Sequence, residues 1–321
     1  MTLRQLATFL EVARSGSVRA AAERLFITQP AVSAVIASLQ RELGVSLVAR
    51  EGRGLRLTPS GVVLSEYARR LQGVLDEAAV AAVGAGAHER VRLGAVTTAA
   101  EHILPATIAS FRARHPTSEV SLEVANRGQV WELLAAHEVD LVVAGRPPDL
   151  RGLRSRAARP NQLVIVAAPG LVPDSSRSTA LAGHTWLLRE PGSGTRATVE
   201  SYLAAQDTTS STLTLGSNGA VREAVAVGLG ITLISRDAVA SDLASGRLVI
   251  VEAPGMPMQR NWHIVTRDED RLPGAGTLFL DHLIANAEFV RVAMAGDGAT
   301  PATKHAARPR AARKGAGKPV R

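Results

Sequence analysis

The chain has 321 residues, enough for two or three domains, and no cysteine, which excludes disulfides, thiolate metal sites and cysteine nucleophiles. Its formal net charge of +8 is concentrated at the two ends: residues 1–58 carry eight arginines against four glutamates, and residues 301–321 carry seven Lys or Arg and no acid. No stretch has the apolar length of a membrane span or the pattern of a signal peptide, so the sequence predicts a soluble cytoplasmic protein.

The basic N-terminal end predicts a helix-turn-helix. Apolar residues at helical spacing run from Leu3 to Ala13 and end before Gly16, and an Ala-rich helical segment follows. After a three-residue turn, Thr28 is placed to cap a third helix whose first turn contains Pro30. This order of caps and turns is typical of DNA-reading helix pairs, although an ordinary helical pair would show the same pattern.

The third helix divides into two faces on a helical wheel. Val32, Ile36, Leu39 and Leu43 form one apolar stripe, which we expect to be buried. The other face carries small and polar side chains, which allow the helix backbone to approach a DNA groove closely. The DNA-binding residues predicted on and beside this helix are Thr28, Gln29, Pro30, Ser33, Ala34 and Arg41.

The segments that follow add a wing and a dimerisation helix. The glycine-punctuated loop or hairpin after the third helix contains Arg50, Arg53 and Arg56, which suits a wing that contacts DNA phosphates or the minor groove, with Arg50 and Arg53 predicted to bind. This places a winged helix-turn-helix domain at residues 1–58. Residues 59–87 predict a linker helix that pairs with a second copy, or alternatively packs on its own domain. Its proposed seam is Leu64, Ala68, Leu71, Leu75, Ala78 and Ala82.

From residue 91 the chain alternates between strands and helices. Nine short apolar runs, among them "VRLGAV", "VDLVVAG" and "ITLIS", are separated by helical patterns. This alternation predicts an α/β domain with a largely parallel sheet, divided into two lobes. Within a domain spanning 88–295, lobe I covers about 91–164 and 267–295, and lobe II covers about 165–266. Residues 296–321 predict a disordered basic tail, which either holds phosphates or is a solvated extension without a specific role.

Three strand ends of this domain carry groups suited to an anion. Thr97 and Thr98 follow the first strand, Arg146 follows another, and "REPGSGTR" supplies Ser193 and Thr195 at a helix start. Each feature is also typical of an ordinary cap or turn. No metal-binding motif, phosphate loop or nucleophile motif occurs, so the sequence predicts no enzyme, no cofactor and no metal.

The segment "GSVRAAAERLFITQPAVSAVIASLQRELGVSLVAR" followed by "LTPSG" resembles the signature of LysR-type transcriptional regulators. The resemblance covers about residues 1–290, and "REPGSGTR" and "AVAVGLGITLIS" are most similar to the branch that regulates carbon-fixation (RuBisCO) operons. It implies a winged helix-turn-helix, a long linker helix and a periplasmic-binding-protein-like effector domain of two lobes. It also implies a homodimer through the linker helix, a homotetramer on promoter DNA, and a small effector between the lobes.

Carried over by position, the resemblance implies DNA contacts and an effector site. It implies that four residues contact DNA: Gln29, Pro30, Ser33 and Arg53. Two family positions differ: Ala34 stands where Arg or Lys is common, and Val48 replaces an aromatic residue. The implied effector residues, together with those from the strand ends, are Thr97, Thr98, Asn126, Arg146, Ser193, Thr195 and Asn218.

The sequence therefore predicts a cytoplasmic, nucleoid-associated regulator whose promoter binding responds to a small anionic metabolite. Two other hypotheses stay open at this point. A cytoplasmic two-lobed solute-binding protein would share the body but would have no use for the basic N-terminal helices. An enzyme on the same body would need catalytic groups that the sequence does not display.

Overall fold

The computed structural model describes residues 1–52, 54–83, 90–148, 152–172, 181, 183–206, 210–268, 272, 274–286 and 289–292. Arg53 of the predicted wing and the predicted basic tail at 296–321 lie outside the described residues. None of the helices within these ranges is long and apolar enough to cross a membrane.

The N-terminal domain is three helices and a two-stranded hairpin, as predicted. Thr2, Ser17 and Thr28 each accept a hydrogen bond at the start of one helix, which satisfies a backbone N–H that has no partner within that helix. The helices share one apolar core that includes Phe9, and the hairpin packs beside it. The elements are α1 Leu3–Ser15, α2 Val18–Leu25, α3 Gln29–Leu43, and the antiparallel strands β1 Val48–Glu51 and β2 Gly54–Leu57.

The buried stripe of α3 is one residue shorter than the sequence predicts. Val32, Ile36 and Leu39 are buried, but Leu43 is 40% exposed, so its assignment to the core is wrong. Leu43 is the last residue of the helix, and Gly44 then turns the chain through a left-handed conformation. Leu47 enters the core after that turn, where it is almost fully buried.

The linker helix α4, Pro59–Val83, has two differently packed parts. Leu64 packs against the N-terminal core and Ala68 is buried, which agrees with a helix packed on its own domain. Leu71 and Leu75, farther along the predicted seam, are exposed. The second part of the helix therefore keeps an apolar stripe available for a partner, as the dimerisation hypothesis requires.

Beyond residue 90 the chain builds a sheet covered by helices. The strands are β3 Arg90–Val96, β4 Glu119–Ala125, β5 Leu141–Ala144, β6 Leu153–Ala167, β7 Trp186–Leu188, β8 Thr212–Thr214, β9 Thr232–Ser235, β10 Val249–Val251, β11 Met258–Arg267 and β12 Val290–Arg291. The helices are α5 Thr97–His102, α6 Leu104–Arg114, α7 Arg127–Ala135, α8 Gly194–Ala205, α9 Asn218–Ala226, α10 Ala240–Ala244 and α11 Gly274–Ala285, with a 3-10 turn at Arg236–Val239.

The sheet is mixed, so the prediction of a largely parallel sheet is wrong. The main path runs β10-β6-β11-β5-β3-β4, and β9 and β12 also pair with β6. Within the described residues of this sheet, the parallel pairings are those of β3 with β4 and of β3 with β5. The strands β7 and β8 form a separate parallel pair. The difference arises because β6 and β11 are long antiparallel partners, paired from Leu163 and Met258 to Leu153 and Arg267.

These two long strands connect two lobes, each with its own apolar core. In the first lobe, β3 and β5 pack with α5, α6 and α11, and Ala157 is the contribution of β6. In the second lobe, β7 and β9 pack with α8 and α9, and the far end of β6 supplies Leu163 and Ile165. The predicted two-lobed α/β body is confirmed, and the space between the lobes is floored by the crossing strands.

Candidate functional site

A cavity of about 340 Å³, here called the interlobe cleft, lies between the two lobes. Its walls are formed by the ends of β3, β4 and β5, the first residues of α5, α7 and α8, and part of the crossing strands β6 and β11. Six of the seven residues predicted for an effector line it: Thr97, Thr98, Asn126, Arg146, Ser193 and Thr195. The fold therefore brings together residues that are up to about a hundred positions apart in the sequence.

Two helices direct their N-termini at this cleft. Asn126 caps α7: its side-chain oxygen accepts a hydrogen bond from the Gln129 N–H at 3.0 Å. Ser193 caps α8 and accepts from the Arg196 N–H at 3.4 Å. Helix N-termini carry partial positive charge and free N–H donors, so the cleft wall favours an anion before any charged side chain is counted.

Charged side chains strengthen this preference. Arg127, Arg146, Arg189 and Arg260 line the cleft, and Glu190 is the acid among its lining residues. Arg189 is buried and pairs with Glu190 at 2.7 and 2.8 Å. Burial alone would raise the pKa of Glu190, but the hydrogen bond and charge of Arg189, with a hydrogen bond from the Glu190 backbone, outweigh it and hold the pKa below its usual value. The three other arginines have no acidic partner among the described residues, which leaves a positive cleft.

Asn218, the seventh predicted residue, is not part of the cleft wall. It is fully buried at the start of α9, where its side-chain oxygen accepts a hydrogen bond from Arg189. Its amide nitrogen donates to Thr98 Oγ1 at 3.0 Å and to Glu101 Oε2 at 3.2 Å. Since Thr98 and Glu101 belong to the first lobe and Asn218 to the second, this amide fastens the lobes together beside the cleft.

The crossing strands supply cleft residues that sequence reasoning missed. His263 and Arg260 on β11 and Asn161 on β6 all line the cleft. His263 Nδ1 lies 2.9 Å from the Ser155 hydroxyl, and burial, followed by the charge of Arg146, lowers the pKa of His263. The polar run "QRNWH" within an otherwise apolar strand, residues 259–263, is the signal that could have identified this floor.

The predicted DNA-facing residues of α3 and the hairpin are exposed, with Arg41 near the end of α3 and the other helix residues at its start. All six residues predicted on and beside the helix are exposed, as is Arg50 on the hairpin. Phe26, in the turn before α3, is 95% exposed. Thr28 serves as the helix cap, with its hydroxyl accepting from Ala31 N–H at 3.3 Å. Arg53 cannot be placed, because it lies outside the described residues.

Comparison with known families matches most of the chain. Residues 3–62 match the model of the bacterial regulatory helix-turn-helix protein, lysR family, and residues 84–288 match the LysR substrate binding domain. The chain is 36% identical over 274 residues to the HTH-type transcriptional regulator CbbR of Rhodospirillum rubrum, covering 84% of this chain and 91% of that protein. It is 34% identical over 292 residues to the RuBisCO operon transcriptional regulator of Allochromatium vinosum, covering 89% and 97%.

Solved structures show the same architecture. The regulatory domain of CcmR from Synechocystis, in complex with 2-PG, is 31% identical and has a TM-score of 0.57, covering 61% of this chain and 96% of that domain. The LysR-family regulator CbnR, at 20% identity, has a TM-score of 0.63 and covers 89% of this chain and 99% of its own. At that identity, CbnR supports the fold alone.

Proposed function

The chain belongs to the LysR family of bacterial transcriptional regulators, and we propose that a small anion bound in the interlobe cleft controls its action at a promoter. The observation that carries this proposal is the cleft itself: two capped helix N-termini face one cavity between two lobes, together with three arginines that have no acidic partner among the described residues. Its relatives are named as transcriptional regulators, and the chain is a regulator rather than an enzyme.

The proposed effector site consists of Thr97, Thr98, Asn126, Arg146, Ser193 and Thr195. The 2-PG bound to the regulatory domain of the Synechocystis relative supports a small-molecule ligand for this chain. We assign Asn218 a supporting role: it holds Thr98 and Arg189 in position at the edge of the cleft. A ligand that changes how the lobes close would shift the balance between two arrangements of the regulator.

The proposed DNA-binding surface is the start of α3 with the wing. We assign Gln29 to pair with a base edge, and Ser33 with a base or a phosphate. Arg41, Arg50 and Arg53 supply positive charge for the phosphate backbone. Thr28, Pro30 and Ala34 complete this surface, and their small side chains allow the α3 backbone to approach the DNA groove closely.

We further propose that α4 joins two copies and that dimers pair into a tetramer. The exposed Leu71 and Leu75 support this, because an apolar helical stripe needs a partner. A two-fold dimer presents two reading helices to a two-fold DNA site. The predicted division into 1–58, 59–87 and 88–295 follows from these roles, and we expect the regulator to act in the cytoplasm at the nucleoid.

The proposal is tested by footprinting the full chain on the DNA that flanks its own gene, with and without 2-PG. We expect protection of a two-fold site and a change in its extent when 2-PG is present. Gln29→Ala should cost about 1–3 kcal/mol at one base position and relax specificity there. Gln72→Ala, an exposed glutamine on α4, is the matched control and should bind normally.

Two outcomes would contradict parts of this proposal. An equal loss of affinity on every DNA sequence would remove Gln29 from base reading and leave it a general contact. Binding of 2-PG without retardation of any DNA fragment would favour the alternative, a cytoplasmic two-lobed solute-binding protein.

A further inference from the structure

His263 occupies a distinctive place on the floor of the interlobe cleft. It lies on β11, one of the two strands that connect the lobes, and its half-buried ring lines the cavity. On one side, Nδ1 lies 2.9 Å from the hydroxyl of Ser155 on β6. On the other side, Nε2 has no hydrogen-bond partner in the described part of the chain, yet it is not buried away from solvent. One ring nitrogen is therefore held by the protein, and the other is free to meet a ligand.

We propose that His263 is a direct, proton-linked contact of the effector: it is neutral in the empty cleft and becomes an imidazolium when an anion binds. In that state both ring nitrogens donate, Nε2–H to the anion and Nδ1–H to the Ser155 hydroxyl oxygen. The inference rests on the proposed function, because it takes the interlobe cleft to be the effector site. It adds a residue outside the predicted effector set and a dependence on proton concentration.

The electrostatics of the cleft support this assignment. Burial and the positive charge of Arg146 both lower the pKa of His263, so the empty cleft favours the neutral ring. The other charges that line the cleft are Arg127, Arg260 and the paired Arg189 and Glu190. An anion seated among these groups offsets the positive charge near the ring, which favours the imidazolium.

Protonation of His263 does not cost the ring its hydrogen bond to Ser155. A hydroxyl can accept from Nδ1–H in the charged ring or donate to Nδ1 in the neutral ring, so its hydrogen bond persists in both states. It also fixes the ring orientation from β6, outside the cleft wall. A ligand with two negative charges gains more from the new positive charge than a simple carboxylate does. The cleft should therefore discriminate in favour of dianions as the pH falls toward 6.5.

The test is calorimetric titration of the full chain with 2-PG and, separately, with sulfate, at pH 6.5 to 8 and in buffers of different ionisation enthalpy. Sulfate has no titrating group in this range, so any proton uptake on its binding comes from the protein. The wild-type chain should take up a fraction of a proton, up to about one, per anion bound. His263→Gln should abolish that uptake and weaken binding about tenfold at pH 6.5, with a smaller loss at pH 8.

Two further variants separate the role of His263 from a general effect on folding. His184→Gln changes a histidine outside the cleft wall and should retain both the affinity and the proton uptake. Ser155→Ala removes the partner of Nδ1 and should reduce the uptake while the anion still binds. Sulfate binding by the wild type with no proton uptake, or uptake with sulfate that persists in His263→Gln, would overturn this inference and leave the proposed function intact. Failure of the wild type to bind either anion would overturn both.

Discussion

The buried amide of Asn218 offers the sharpest test of how the lobes are held together. Asn218→Ala removes the hydrogen bond to Thr98, the weaker one to the half-exposed Glu101, and the acceptor that Arg189 uses. Loss of the Thr98 bond should cost about 1 kcal/mol, and a buried guanidinium left short of one acceptor costs about 1.5–3 kcal/mol. Because Glu190 continues to pair with Arg189, we take the lower part of that range and expect a total of about 2.5–3 kcal/mol.

Urea unfolding followed by tryptophan fluorescence measures this loss, since Trp131 is buried in the first lobe and Trp186 in the second. A double-mutant cycle with Thr98→Val isolates the bond between the lobes, with an expected coupling of about 1 kcal/mol. The Thr98→Val variant preserves shape and removes the acceptor. A coupling near zero, or a loss below about 0.5 kcal/mol for Asn218→Ala, would refute the view that this amide fastens the lobes.

Two other substitutions test how the linker helix connects to its surroundings. A Cβ at Gly73 would lie 2.5 Å from the Ala136 carbonyl oxygen and 2.5 Å from His137 Cβ. Gly73→Ala should therefore push α4 away from the end of α7. We expect the response of DNA binding to 2-PG to weaken at least about threefold. A wild-type response in footprinting would contradict that coupling. Leu75→Lys should raise the dimer dissociation constant at least about tenfold in light-scattering measurements, because a charge cannot be buried in the seam. The exposed neighbour Asp76 serves as the control through Asp76→Lys, and equal effects of the two changes would exclude Leu75 from the seam.

The elements set by local interactions were predictable from the sequence. Thr28 was predicted as a cap from its position before Pro30 and an apolar period of 3.6, and it caps α3 in the structure. Val32, Ile36 and Leu39 follow from the same period. The burial predicted for Leu43 was wrong, because a helical wheel extends the apolar pattern to the last residue of the helix, where the chain already turns away. Only the left-handed Gly44 and the entry of Leu47 into the core decide that end.

The elements set by long-range pairing were not predictable in the same way. The first half of β6 is rich in arginine and has no apolar run, yet it is a strand because β11 pairs along it. Its arginines find partners that are distant in sequence: Arg156 donates to Thr266 Oγ1 at 2.7 Å, and Arg159 pairs with Asp237 at 2.7 Å. The position of His263 in the cleft depends on the same crossing. The hydrophobic periodicity of one segment contains no information about which distant strand it pairs with or which distant side chains it contacts.

The sequence left a choice between a turn or cap and a ligand group for Ser193, whereas Asn126 was implied as an effector residue by the family resemblance alone. The structure shows both residues as helix caps. Asn126 uses its side-chain oxygen to cap α7, while its amide N–H donors have no partner among the described residues. Ser193 uses its hydroxyl oxygen as an acceptor at the start of α8, which leaves the hydroxyl hydrogen to donate. In both cases the cap fixes the side chain at a positive helix end, and the remaining donor is the group an anion requires. A side chain that caps a helix at this cleft is held in place and keeps a donor, so the cap and the proposed ligand role do not exclude each other.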